Sequence, residues 1–386
     1  MKKLALIMFG VLFLLSSGKT FAQITTAPQK NSPAWGDTKF IITGGGMINF
    51  SADDSNNSFG NTGFHIMPMA KIGNRMYLLS EIEIGVEDGA APFELETTNL
   101  YYQLNKYMII HAGRFLPKFG NYRGRFGSGF INRFANDPVG FGDGGIGPLI
   151  ETGVGVQGGV QLGSSKINYD FYISGGPQLL VGSEDAPEEA GQFEYEAYDE
   201  NNNNKAFGGR IGLLPYSNSS LEIGLSGEIA TSTGDSGTPA ENVSFHAYAL
   251  DVTYYKVING ITLRLMGAVT GLDVGNFNYV DFSSPQDSLD NQPGTYTFDN
   301  SSNAFYTQIA LRPSGANNHF VSNLEFAGRY SFFDRPEKAL WGGENINQLT
   351  FGINYYFSWS NILKFTYNIE DNGTADQFLA QLIFRF

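Results

Sequence analysis

The last 38 residues carry two polarities at once. Leu349, Phe351, Ile353, Tyr355 and Phe357 oppose Gln348, Thr350, Gly352 and Asn354. Leu363, Phe365, Tyr367 and Ile369 then oppose Lys364, Thr366, Asn368 and Glu370. In the final run, Phe378, Ala380, Leu382, Phe384 and Phe386 oppose Gln377, Gln381 and Arg385. A period of two sends alternate side chains to opposite faces of a sheet. The apolar face is continuous for about ten residues, the length a tilted strand needs to cross a bilayer. Two structures accommodate such strands: a soluble sandwich that buries the oily face, or a barrel that turns it to lipid.

Composition favours the barrel. Charged residues make up only 16% of the chain and aromatics 14%, against roughly 25% charged in ordinary soluble domains. A formal charge of -14 argues against a nucleic-acid partner, whose phosphates need a basic footprint. At the amino-terminus, Lys2 and Lys3 precede a short apolar run from Leu4 to Leu15 and a small, polar stretch ending at Ala22. That pattern predicts a signal peptide over 1–22, followed by a polar periplasmic leader over 23–37 with Pro28 and Pro33. No later stretch approaches eighteen apolar residues, so the membrane is expected to be crossed by strands. The absence of cysteine leaves no disulfide framework.

Sixteen strand candidates follow over 38–386, and their connections alternate in length. Those at 73–75, 105–106, 164–165, 216–219, 258–260, 314–318 and 358–360 are tight and rich in Gly, Asn and Ser, the residues of hairpin turns. The intervening ones, at 52–62, 88–94, 116–150, 175–204, 232–242, 273–303, 332–344 and 371–375, are generally longer. The expected fold is all-β: one transmembrane antiparallel barrel with short periplasmic turns and long extracellular loops. An even strand number puts both termini on the periplasmic side. Membrane lipid is then the partner outside, and the outer membrane is the location. Tyr101, Tyr102, Tyr254, Tyr255, Tyr355 and Trp359 gather near the short-turn ends, as an interfacial girdle requires. A barrel this wide leaves a lumen that facing side chains cannot fill. Glu81, Glu83, Arg210, Arg264, Arg312, Arg329 and Arg385 fall on the polar faces and are expected to line it.

The connection 116–150 differs from the other long ones. It holds Lys118, Arg123, Arg125 and Arg133 against Asp137 and Asp143, a balance of +2, whereas 175–204 holds eight acids and no base. The expectation is that 116–150 folds into the lumen. Arg123, Arg125 and Arg133, with Lys118 and Arg114 beside them, would form a basic constriction that favours anions. Glu81 and Glu83 facing that group would instead create a transverse field.

The run Ala112-Gly113-Arg114-Phe115-Leu116-Pro117-Lys118-Phe119-Gly120, then Asn132-Arg133 and Asp137-Pro138, resembles Gram-negative porins of the phosphate-selective and related sixteen-stranded type. The closing Leu382-Ile383-Phe384-Arg385-Phe386 is similar to the terminal signal read by the barrel assembly machinery. The resemblance implies a homotrimer, an inward third loop and passive diffusion of small hydrophilic solutes or ions. No reaction, cofactor or metal is expected. Arg210, Arg264, Arg312, Arg329 and Arg385 are interspersed with acids, which departs from the basic ladder of phosphate-selective members. Two other readings are a barrel for hydrophobic solutes and a closed adhesion or scaffold barrel.

Other motifs carry little. Gly153-Val154-Gly155-Val156-Gln157-Gly158 fits a dinucleotide-binding pattern, but it lies within a strand with no helix to follow. The four histidines have no metal-ligand spacing.

Overall fold

The computed structural model describes residues 38–85, 92–142, 144–282, 294–371 and 376–386; the expected signal peptide and leader lie outside them. Sixteen antiparallel strands close into one barrel. In chain order they are β1 (Lys39–Ala52), β2 (Asn57–Ile72), β3 (Met76–Ile84), β4 (Phe93–Gln103), β5 (Met108–Phe115), β6 (Glu151–Leu162), β7 (Ser165–Ser174) and β8 (Ala206–Leu214). Then come β9 (Leu221–Ala230), β10 (Phe245–Ile258), β11 (Ile261–Val274), β12 (Ser301–Arg312), β13 (Leu324–Asp334), β14 (Ile346–Tyr356), β15 (Ile362–Asp371) and β16 (Gln377–Arg385).

Each strand pairs with its neighbour in sequence, and β1 pairs with β16, Met47 lying opposite Ile383. Closure removes the unpaired edge that an open sheet would present to hydrocarbon. The last residue is fixed at the seam. The Phe386 N–H donates to the Gly44 carbonyl at 3.0 Å, and its carbonyl accepts from the Thr43 hydroxyl at 2.6 Å.

Alternation decides which face meets which medium. On β9, Ile223, Leu225 and Ile229 are exposed while Glu222, Ser226 and Glu228 are buried. On β14, Phe351 and Ile353 are exposed while Thr350 and Asn354 are buried. Leu225 is 63% exposed and Thr350 0%, the reverse of a protein dissolved in water. A wall that is apolar outside and polar within suits a lipid surround.

Two strands begin elsewhere than alternation indicates. β2 starts at Asn57 because Asn57, Ser58 and Phe59 pair with Ala52, Ser51 and Phe50, carrying the hairpin past the apolar band. The connection there shrinks to a turn held by Asp53 Oδ1, which accepts from the Ser55 and Asn56 N–H groups, both at 2.8 Å. β13 starts at Leu324 because His319–Ser322 forms a single helical turn capped by the Asn318 side chain. The turn between β10 and β11 uses Asn259 and Gly260 at φ 50° and 78°. Positive φ at both centres is the turn whose twist matches a two-residue hairpin.

Candidate functional site

Between β5 and β6 the chain touches inner positions around most of the wall. Lys118 Nζ lies 3.0 Å from Asp170 of β7 and also bonds Gln157 of β6. The Gly120 N–H donates to Ser226 Oγ of β9 at 3.0 Å. Arg329 of β13 donates to the Asn136 and Asp137 carbonyls, both at 3.0 Å. Asn354 of β14 donates to the Arg133 carbonyl at 3.0 Å, and Lys364 of β15 to the Gly129 carbonyl at 2.6 Å. Segment 116–150 therefore lies against the inside of the barrel.

Asn121 is the most connected of these anchors and is fully buried. Its Nδ2 donates to the Val252 carbonyl of β10 at 3.0 Å and the Gly267 carbonyl of β11 at 3.2 Å. Its Oδ1 accepts from the Tyr306 hydroxyl of β12 at 2.6 Å. One π-helical turn, Tyr122–Phe126, follows. The Tyr122 hydroxyl donates to Asp137 Oδ1 at 2.7 Å and accepts from Asn132 at 3.0 Å, and burial pushes the phenol well above its ordinary pKa. Glycine allows the close fit. A Cβ on Gly140, at φ 77°, would stand 2.5 Å from the Ala304 Cβ of β12.

This half of the lumen is not wet. Phe119, Tyr122, Phe141, Ile146 and Leu149 form one apolar cluster with Ala247 and Ala249 of β10, Met266 and Ala268 of β11, and Ala304 and Tyr306 of β12. The space that facing wall side chains cannot fill is thus occupied, along β10–β12, by packed side chains of the loop. Ala247, Ala249, Ala268 and Ala304 are small, and the loop's aromatic rings pack over them.

The five basic residues expected at the constriction are placed as follows. Lys118 meets Asp170 as described. Arg125 Nη1 lies 2.7 Å from Glu222 of β9, and Arg133 Nε 3.2 Å from Glu325 of β13. Arg123 lies 3.7 Å from Asp137 within the same loop. Arg114 contacts carbonyls of 175–204 rather than a carboxylate. Arg210 of β8 is held by Asp251 at 2.7 Å and Glu222 at 2.9 Å. Arg264 of β11 stacks 5.3 Å from the Tyr255 ring. Arg312 of β12 donates to the Ser322 carbonyl at 2.8 Å. Arg329 also stacks 4.5 Å from Phe134 of the loop, and Arg385 of β16 lies 5.6 Å from Phe130.

Opposite the apolar half a gap remains. A cavity of about 360 Å³ separates the loop from β1–β4 and β16. His65 of β2, Glu81 and Glu83 of β3, and Glu96 of β4 line it, facing Arg123 and Asp137 of the loop. His65 Nδ1 is 3.2 Å from Glu81, and its Nε2 is 3.7 Å from Glu83. The side chains of Glu81 and Glu83 are 33% and 35% exposed. Four carboxyl groups, one imidazole and one guanidinium border this gap. Sequence reasoning missed Glu96. The β3–β4 register slips between Glu81 and Ile82, so that Thr97 and Leu95 are paired and Glu96 is the extra residue of a bulge. Asn121 was missed too, since a lone amide carries no pattern of its own. Among the described residues, no group of three or more His, Asp or Glu side chains is placed to hold a metal ion.

A closed sixteen-stranded antiparallel wall, apolar outside, polar inside and carrying a long internal loop, is the fold of the outer-membrane porins. No family model matches this chain, and no curated relative does. The likeness is one of fold. OmpF of Salmonella typhi, solved with daunomycin, superposes with a TM-score of 0.55 at 12% identity, over 90% of this chain and 98% of that one. OmpT, an outer membrane protein of Vibrio cholerae in its trimer form, gives 0.54 at 9% identity, over 90% and 99%. The outer membrane channel DcaP of Acinetobacter baumannii gives 0.53 at 12%, over 90% and 97%.

Proposed function

We propose that this chain forms an outer-membrane pore for passive diffusion of small hydrophilic solutes, with its narrowest passage between segment 116–150 and strands β1–β4. The observation that carries it is the charged gap of about 360 Å³ left on that side. A solute crossing it meets carboxylates, an imidazole and a guanidinium, groups that replace lost hydration. A barrel for hydrophobic solutes would line its path with apolar side chains, and a closed scaffold would leave no path.

The charge of the passage favours cations. The anion preference expected from Arg123, Arg125 and Arg133 loses its support, because each lies within 4 Å of a carboxylate. Glu81 and Glu83 give the gap its sign, and a wall of one sign concentrates counter-ions. Export by the signal peptide over 1–22, insertion by the barrel assembly machinery and assembly as a homotrimer belong to the same proposal. The fold likeness to a barrel solved in trimer form supports the last.

Reconstitution in a planar bilayer under a KCl gradient tests this. Steady current with a reversal potential of the sign for potassium permeation is expected. Absence of steady current would refute the pore, and a chloride-signed potential would restore the basic constriction.

A further inference from the structure

We infer that the fourth long connection, 175–204, is a strap across the mouth of the barrel, and that Arg114 is the positioning residue that holds its far end. This rests on the diffusion-pore reading and adds a second element in series with segment 116–150.

The strap is rooted on adjacent strands, β7 and β8, yet its middle touches distant ones. Tyr195 is buried against Phe245 of β10, ring centroids 6.2 Å apart, in one cluster with Ile146 and Leu149 of the inner loop. The next residues reach β5. Arg114 donates to the Glu196 carbonyl at 2.8 Å and the Ala197 carbonyl at 3.1 Å, and its guanidinium lies 4.2 Å from the Tyr198 ring centre. Its Nε donates to the Glu96 carbonyl of β4 at 3.1 Å, which fixes the arginine itself. Five strand steps separate β5 from β10, about 24 Å along the wall at ordinary strand spacing. Four consecutive residues that contact both cannot follow the rim; they cut across the opening.

The near end is held independently. Asn202 is buried and donates to the Ser232 and Gly234 carbonyls at 3.3 and 3.2 Å. The Leu179 N–H donates to the Thr233 carbonyl at 2.9 Å. Removing the Arg114 contacts therefore loosens the hold on 196–198 without detaching the rest. The planar fork of arginine is well matched to this position, since it bonds three carbonyls and stacks on a ring together, which a lysine ammonium cannot do.

Released, the strap no longer narrows the approach to the gap. The experiment compares single-channel conductance of full-length Arg114→Ala, Arg114→Lys and Tyr198→Ala with the parent in planar bilayers, and uptake of uncharged oligosaccharides in liposome swelling. Arg114→Ala is expected to raise conductance about 1.5-fold and to admit larger sugars, with Arg114→Lys close to it and Tyr198→Ala smaller. Unchanged conductance and sugar cut-off in folded Arg114→Ala, judged by heat-modifiable migration, would overturn the strap. Should that variant not fold, Tyr198→Ala decides alone, and no change in it overturns the strap. A parent protein that carries no current refutes the pore reading instead.

Discussion

The two halves of the lumen hold charge for different ends. Along β7–β15, charged and polar side chains face segment 116–150 and grip it. Arg210, Glu222, Asp251, Glu325, Arg329 and Lys364 are all buried there. Along β2–β4, Glu81 and Glu83 stay about one-third exposed beside a cavity. The same residue types thus build a seal on one side and border a gap on the other. Counting lumen charges does not give selectivity; only those left at the passage bear on a solute. A basic loop can accordingly produce an acidic pore, because its cations are met by wall carboxylates while other carboxylates border the gap.

Substitutions separate the halves. Arg210→Ala leaves Glu222 and Asp251 buried without their shared guanidinium, and is expected to cost about 3–5 kcal/mol, read by urea unfolding in lipid vesicles. A loss below about 1 kcal/mol would mean that water reaches this side. Asn121→Ala strips hydrogen bonds from the Val252 and Gly267 carbonyls and the Tyr306 hydroxyl. It should cost about 1–3 kcal/mol and speed proteolysis within 116–150. If cleavage there does not change, Asn121 is not an anchor of the loop.

The passage should respond in the opposite way. Combined Glu81→Gln and Glu83→Gln substitution is expected to shift stability by no more than about 0.5 kcal/mol while lowering the cation-to-anion permeability ratio about twofold. An unmoved reversal potential would place the ion path elsewhere. Lys118→Ala is expected to cost about 0–1 kcal/mol, since its side chain is 40% exposed though paired with Asp170; a larger loss would put it among the buried anchors.

The wall was legible in the sequence because a bilayer outside and polar groups inside impose contrast at every second residue. Leu225 against Ser226 and Ile353 against Asn354 show it directly. Contrast was also the limit. Ala247, Ala249 and Ala268 face inward yet are apolar, so alternation carried no sign that aromatic rings would cover them. The bulge at Glu96 and the ladder that lengthens β2 are backbone events with no polarity signature. The unusual charge of 116–150 marked that loop, but its hydrogen-bond partners lie up to 235 residues away, as Lys364 does from Gly129. Local composition does not report contacts of that range.

Thiol accessibility tests the division of the lumen most directly, because the chain contains no cysteine. Single Glu83→Cys and Ser331→Cys variants, the first at the gap and the second buried beneath Val139 of the loop, would be exposed to a small water-soluble cationic thiol reagent during current recording. Rapid loss of current in Glu83→Cys with none in Ser331→Cys is the predicted result. Block in Ser331→Cys with Glu83→Cys unaffected would contradict it.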